Sequence, residues 1–124
     1  MDVQTNAVEL AKYTIDNALK EKIVPKRDRW AFGNRLMDTA LDISTSIDMA
    51  NSLHLDVPKE AEDRLDCQHH ALALTFSLMT LVHVLRDSTH FDASVHEHWT
   101  GLVKKEQELL RGWIDSDRRK KHGS

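Results

Sequence analysis

The chain has 124 residues, a formal net charge of −3, and 40% hydrophobic and 30% charged residues. That length suits one domain, the apolar share can form a core, and the slight acidity argues against a protein that coats nucleic acid nonspecifically. Only four glycines and two prolines interrupt it, which suits a few long helices and argues against the many turns of an all-β fold.

The first predicted helix covers residues 3–23, with Ala7, Ala11, Ile15 and Ala18 along one stripe and Val8, Leu19 and Ile23 beside it. Pro25 stops it, because proline disfavours the α conformation of the residue before it. The second covers residues 28–52. Leu36, Ala40, Ile43, Ile47 and Ala50 recur at steps of four and three and keep one face against a partner. Gly33 sits inside this run at a cost of about 1 kcal/mol relative to alanine, a cost that a close helix–helix approach would explain.

Residues 51–57 form a connection, and Asp56 and Pro58 signal a new helix start. The third predicted helix covers residues 58–86 and is apolar on two sides. Leu74, Leu78, Leu81 and Leu85 share one narrow stripe, while Leu65, Leu72, Phe76 and Met79 lie nearly opposite. One face can fill the core, and the other then needs a further helix or a second subunit. The Leu74, Leu78, Leu81 and Leu85 stripe is assigned to an oligomer interface on that ground.

After a connection at residues 87–91, Asp92 or Ser94 caps a fourth helix that ends at Ile114 or Asp117. Val95, Trp99, Leu102, Leu109 and Trp113 stand at core spacing, and Glu106 interrupts their stripe. Residues 1–117 therefore read as one all-α domain, an antiparallel up-down-up-down four-helix bundle, followed by a basic flexible tail at residues 118–124.

The lone Cys67 excludes an internal disulfide framework, and no apolar run approaches the roughly 18 residues of a membrane span. Residues 1–10 lack the basic-then-apolar form of a secretory leader, so a cytoplasmic location is expected and no membrane partner is.

Two basic clusters stand out. Lys20, Lys22, Lys26, Arg27 and Arg29 outnumber Glu21 and Asp28 by three charges, and Arg118, Arg119, Lys120 and Lys121 outnumber Asp115 and Asp117 by two. Both are candidate nucleic-acid or partner sites, although lysine and arginine at helix ends are also favoured simply by the helix dipole. Lys104, Arg111 and Arg118 share a face with Glu108 and Asp115 between them, so internal ion pairs explain that stripe. Trp30 beside Arg27 and Arg29 is either a stacking platform for bases or, the blander reading, a hydrophobic staple at a helix start.

Eight histidines invite a metal reading, but no helical pair with a third ligand is in view, so neither metal nor cofactor is expected. Cys67 reads as a small buried apolar residue. Arg64 and His69 match the arginine, four residues, histidine spacing of HEPN-type ribonucleases, in which histidine moves a proton and arginine steadies phosphate. The motif is short, and Leu65 stands where a polar residue belongs, so the chain is read as non-enzymatic.

Two segments carry a resemblance. One is Trp30-Ala31-Phe32-Gly33-Asn34-Arg35-Leu36-Met37-Asp38-Thr39-Ala40-Leu41-Asp42-Ile43 leading to Ala50-Asn51, and the other is Leu109-Leu110-Arg111-Gly112-Trp113-Ile114 followed by basic residues. The chain resembles four-helix-bundle proteins of the ribosomal intervening-sequence type, and more narrowly the accessory variability determinant proteins of diversity-generating retroelements. The resemblance implies a ring-shaped, barrel-like homopentamer that binds a reverse transcriptase and its structured template RNA, supports mutagenic cDNA synthesis and has no catalytic role. That family is strongly basic and this chain is not. Because RNA binding depends on the phosphates neutralised, either the positive surface is confined to patches, or protein contacts dominate, or the bundle serves another system.

Overall fold

The computed structural model describes residues 1–123 and is helical almost throughout, with no strand among the described residues. Helix α1 (Asp2–Ala18) opens with the Met1 carbonyl accepting from the Gln4 and Thr5 amides, both at 3.1 Å. It ends five residues before the predicted Ile23. The Lys20 carbonyl instead accepts from the Ile23 and Val24 amides at 3.0 and 2.8 Å, and this turn drives both side chains into the core. Burying two aliphatic side chains outweighs one more helical turn ahead of Pro25.

The next rod is compound. A short α2 (Lys26–Asp28) passes into a π-helical turn (Arg29–Gly33) and then into α3 (Asn34–Asn51). Such turns insert an extra residue and rotate the side chains that precede them relative to those that follow. Gly33 is buried within 4 Å of α1, yet a Cβ there would meet the Ala18 carbonyl at 3.6 Å, an ordinary contact. Close approach is therefore present but does not demand glycine.

Helix α4 (Pro58–Thr89) starts with proline in its first turn after an extended Val57, and it stops at His90, whose left-handed φ of 53° turns the chain. Asp92 accepts from the Ser94 amide at 3.0 Å and begins α5 (Ala93–Gly123). This helix overruns the predicted end at Ile114 or Asp117. Residues 118–121 are its last turns, where neither glycine nor proline intervenes to end it. Helix α1 packs on α3 and α5, and α4 packs on the same two, so four long helices enclose one core.

Leu10, Leu36, Ile43, Ile47, Leu78, Val82, Trp99, Val103 and Leu110 are fully buried there, each aliphatic one contributing about 1.5–3 kcal/mol. Leu78, Leu81 and Leu85 belong to this core, and Leu74 packs against it partly buried. The stripe assigned to an oligomer interface thus lies inside a single chain. The opposite side of α4 is only partly open: Leu72 and Met79 pack against the core, while Leu65 at 36% and Phe76 at 48% stay exposed. No helix among the described residues is long and apolar enough to cross a membrane.

Polar groups also enter the core. The Trp99 indole donates to Thr14 Oγ1 at 2.9 Å. Asn6 Nδ2 donates to Glu106 Oε1 at 3.0 Å and to the Leu102 carbonyl at 3.2 Å. Glu106 does not break its stripe but stays on it, fully buried, and burial pushes its carboxyl up to about 7 against the opposing pull of the Asn6 amide and the Lys105 charge. The unfolded carboxyl ionises near 4.5, so the folded state holds the proton more tightly. Its contribution to stability is complete below about pH 4.5 and is lost as pH rises to about 7, a swing of about 3 kcal/mol. Glu106→Gln should remove that slope, so the variant should gain on the parent between pH 5 and pH 8 in urea unfolding. A constant difference between the two proteins would contradict this account.

Candidate nucleic-acid and partner interface

The first basic cluster is built by the turn after α1 and by the start of the compound rod. Lys20, Lys22, Lys26 and Arg27 are exposed there, but Arg29 is not free for a ligand. Its Nη2 donates to the Leu19 carbonyl at 3.0 Å and its Nε is buried. The terminal carbonyls of a helix lack intrahelical donors and carry partial negative charge, so a guanidinium placed there caps α1. Arg29 accordingly leaves the set of predicted binding residues. Arg35 takes its place. It lies two turns beyond Arg27, and both edge a groove with Asp28, Phe32, Val84 and Ser88. That eight-residue spacing was readable in the sequence, but the charge count stopped at Arg29.

Trp30 stands out of this surface at 84% exposure. A hydrophobic staple packs its apolar residue against the helix, and Trp30 does not, so that blander reading is corrected. Arg27, its side chain 85% exposed, approaches Asp28 with Nε 3.5 Å from Oδ2.

The second cluster occupies the last turns of α5. Arg118, Arg119, Lys120 and Lys121 are exposed, with Arg118 3.9 Å from Asp115 in a loose surface pair. Lys120 and Lys121 flank a groove shared with Leu55, Asp56 and Pro58. Asp117 belongs to the sequence count of this cluster, yet its charge does not reach the surface. Arg64 Nε and Nη2 donate to its two oxygens at 2.7 and 3.1 Å, and Gln68 Nε2 donates to Oδ2 at 2.8 Å. Against the four cations, of the two acids counted with them, Asp115 alone is exposed.

Arg64 is consequently a latch. Besides Asp117 it donates to the Leu53 carbonyl at 3.1 Å, and its guanidinium stacks 5.0 Å from the Trp113 ring. Its side chain is only 14% exposed, so the charge that a ribonuclease would turn toward phosphate is committed to holding α4, α5 and the 52–57 connection together. His69 is exposed five residues later. Arg111 lies over Phe76 at 5.6 Å, so the third basic stripe is partly a cation–π contact. His83 Nδ1 and His96 Nε2 are 3.3 Å apart, and the proton affinity of His96 is lowered first by burial, then by His83 and Arg86. Among the described residues no three metal-ligating side chains converge. Cys67 is half-buried on α4.

The two clusters lie far apart. The first meets α4 at Val84, Ser88 and Thr89, the second near Pro58 and Ala61, and the helix between those contacts spans about 40 Å. Comparison with protein-family models, curated proteins and solved structures found no match for this chain.

The latch makes a sharp prediction. Asp117→Ala leaves the Arg64 guanidinium buried without its carboxylate and should cost about 3–5 kcal/mol in urea unfolding. Arg64→Met, which fills similar volume with an apolar chain, should lose less when combined with Asp117→Leu than either single change does. Additive losses in the double variant would show that the two charges do not act as a pair.

Proposed function

We propose that this chain is a non-catalytic, self-assembling helical bundle that holds a reverse transcriptase and its structured template RNA during mutagenic cDNA synthesis, in the manner of the accessory proteins it resembles. The observation that carries the reading is the pair of cationic ends, which meet α4 at residues 84–89 and 58–61 and so stand about 40 Å apart along it. A bundle with two separate cationic docking points suits a scaffold, because linked weak sites add through effective concentration. The −3 overall charge is compatible with this arrangement, since phosphate contact is local and depends on the cations at each end.

In this reading the four helices alternate up and down. The side-chain pairs Asn6 with Glu106 and Thr14 with Trp99 support that direction for α1 and α5, as do Arg64 with Asp117 and His83 with His96 for α4 and α5. In each set the residue number rises along one helix as it falls along the other. Copies then meet through the open side of α4, where Phe76 and Leu65 are exposed, and close into a homo-oligomeric ring in the cytoplasm. Exposed apolar side chains along a helix favour such contact.

Three measurements test the proposal together. Light scattering should give a mass several times that of the 14.2 kDa chain, and Phe76→Asp should reduce it to the single-chain value. Labelled structured RNA should be retained at low salt and released by replacing residues 118–121 with alanine. Co-purification from the native host should bring down a reverse transcriptase. A monomer that retains no RNA and recovers no polymerase would end this reading, while recovery of an unrelated protein would mark a bundle serving a different system.

A further inference from the structure

We propose that Trp30 is a stacking platform for an unpaired base, with Lys26, Arg27 and Arg35 holding the phosphates on either side, so that the first basic end takes single-stranded rather than duplex nucleic acid. The inference rests on the RNA reading above and makes it specific to one site. Its starting point is the 84% exposure of Trp30 in a chain whose Trp99 is fully buried and whose Trp113 is half-buried. A tryptophan ring forgoes a large favourable burial when it faces water, so its position at the surface needs a partner for the ring.

Local structure explains how the ring is displayed. Arg29, the next residue back, turns inward to cap the Leu19 carbonyl, and this anchors the π turn from below. Trp30 is thereby directed outward on a backbone fixed on both sides. Lys26 and Arg27, both exposed, precede it by four and three residues on the short helix that leads into the π turn. Arg27 and Arg35 line one groove together with Ala31 and Phe32, the two residues that follow Trp30, and Asp28 is the one acidic residue lining it.

The combination selects the occupant. Every base has a π face, so an exposed ring binds single strands with little regard to sequence, while flanking cations follow the backbone. In a duplex those faces are covered by neighbouring base pairs, and the ring has nothing to stack on. An acidic protein would also answer the charge, but it offers no planar face for Trp30.

The full-length chain should be titrated at about 50 mM salt with a 12-nucleotide oligouridine, a duplex RNA of the same length and polyglutamate, following binding and tryptophan emission, since phosphate-driven binding weakens steeply as salt rises. Oligouridine should bind and quench emission, and Trp30→Phe should keep most of the affinity while losing the quenching. Trp30→Ala should weaken oligouridine binding by about 5- to 100-fold and leave duplex binding unchanged. Arg27→Ala should reduce the slope of log affinity against log salt by about 0.7. Because Trp30 lies at the surface, these variants should keep the parent circular dichroism spectrum. Equal oligouridine affinity in Trp30→Ala, or a Trp30-dependent affinity for polyglutamate, overturns the inference. If structured RNA is still held through residues 118–121 in that case, the broader reading survives; if the parent chain holds no RNA of any kind, both fail.

Discussion

Two oxygens of Asp117 meet two nitrogens of Arg64 in a nearly dry site, and one end of the molecule is organised around that contact. Taking either charge from water alone would cost several kcal/mol, and the cost is offset only because every strong donor finds an acceptor. The guanidinium also reaches the Leu53 carbonyl and lies on Trp113, while Gln68 completes the carboxylate. Three segments distant in sequence are thereby fixed to each other. The last turns of α5 extend beyond this clamp as helix, which turns a loose basic tail into a row of cations at set heights.

The opposite end uses a related device with fewer bonds. Arg29 caps the end of α1 through the Leu19 carbonyl and so ties the first turn to the rod that follows it. Its withdrawal from the surface and the outward display of Trp30 are consequences of the same π turn. In both places an arginine that the sequence offers to phosphate, Arg29 by charge count and Arg64 by motif spacing, is held by the chain itself.

The repeating apolar steps made the long helices and most of the core legible in the sequence, because a 3.6-residue period survives whatever packs against it. Leu36, Ala40, Ile43 and Ile47 lie buried as their spacing implied. What periodicity could not supply was the destination of a face. Helix α4 is apolar on two sides, and the pattern alone does not say which side the chain covers for itself; the core takes Leu78, Leu81 and Leu85, with Leu72, Leu74 and Met79 against it, and leaves Leu65 and Phe76 exposed. The end of α1 was misplaced because helix propensity continues to Ile23, whereas the side chains of Ile23 and Val24 gain more by folding into the core. The π turn has no compositional mark. Glu106 read as an interruption because a carboxylate is assumed charged, and only the Asn6 amide from another helix, together with burial, makes it a core residue. At the candidate sites the cations themselves were visible, but their availability depended on partners as far away as Asp117 is from Arg64.

Charge at a surface is felt locally, so a slightly acidic chain can still carry separate cationic patches. At physiological salt, interactions between exposed charges fade over about 8 Å, far less than the length of α4. A ligand at one end therefore does not sense the other, nor the acidic residues along the middle. Near the C-terminus Asp117 is taken up by Arg64, while Asp115 and, across the groove, Asp56 are acids that face the exposed cations. Near the first turn the loss of Arg29 is balanced by Arg35, which the groove brings beside Arg27. The total of −3 averages over regions too far apart to act together, so the folded arrangement of a few arginines, rather than their number, sets the charge that each end presents.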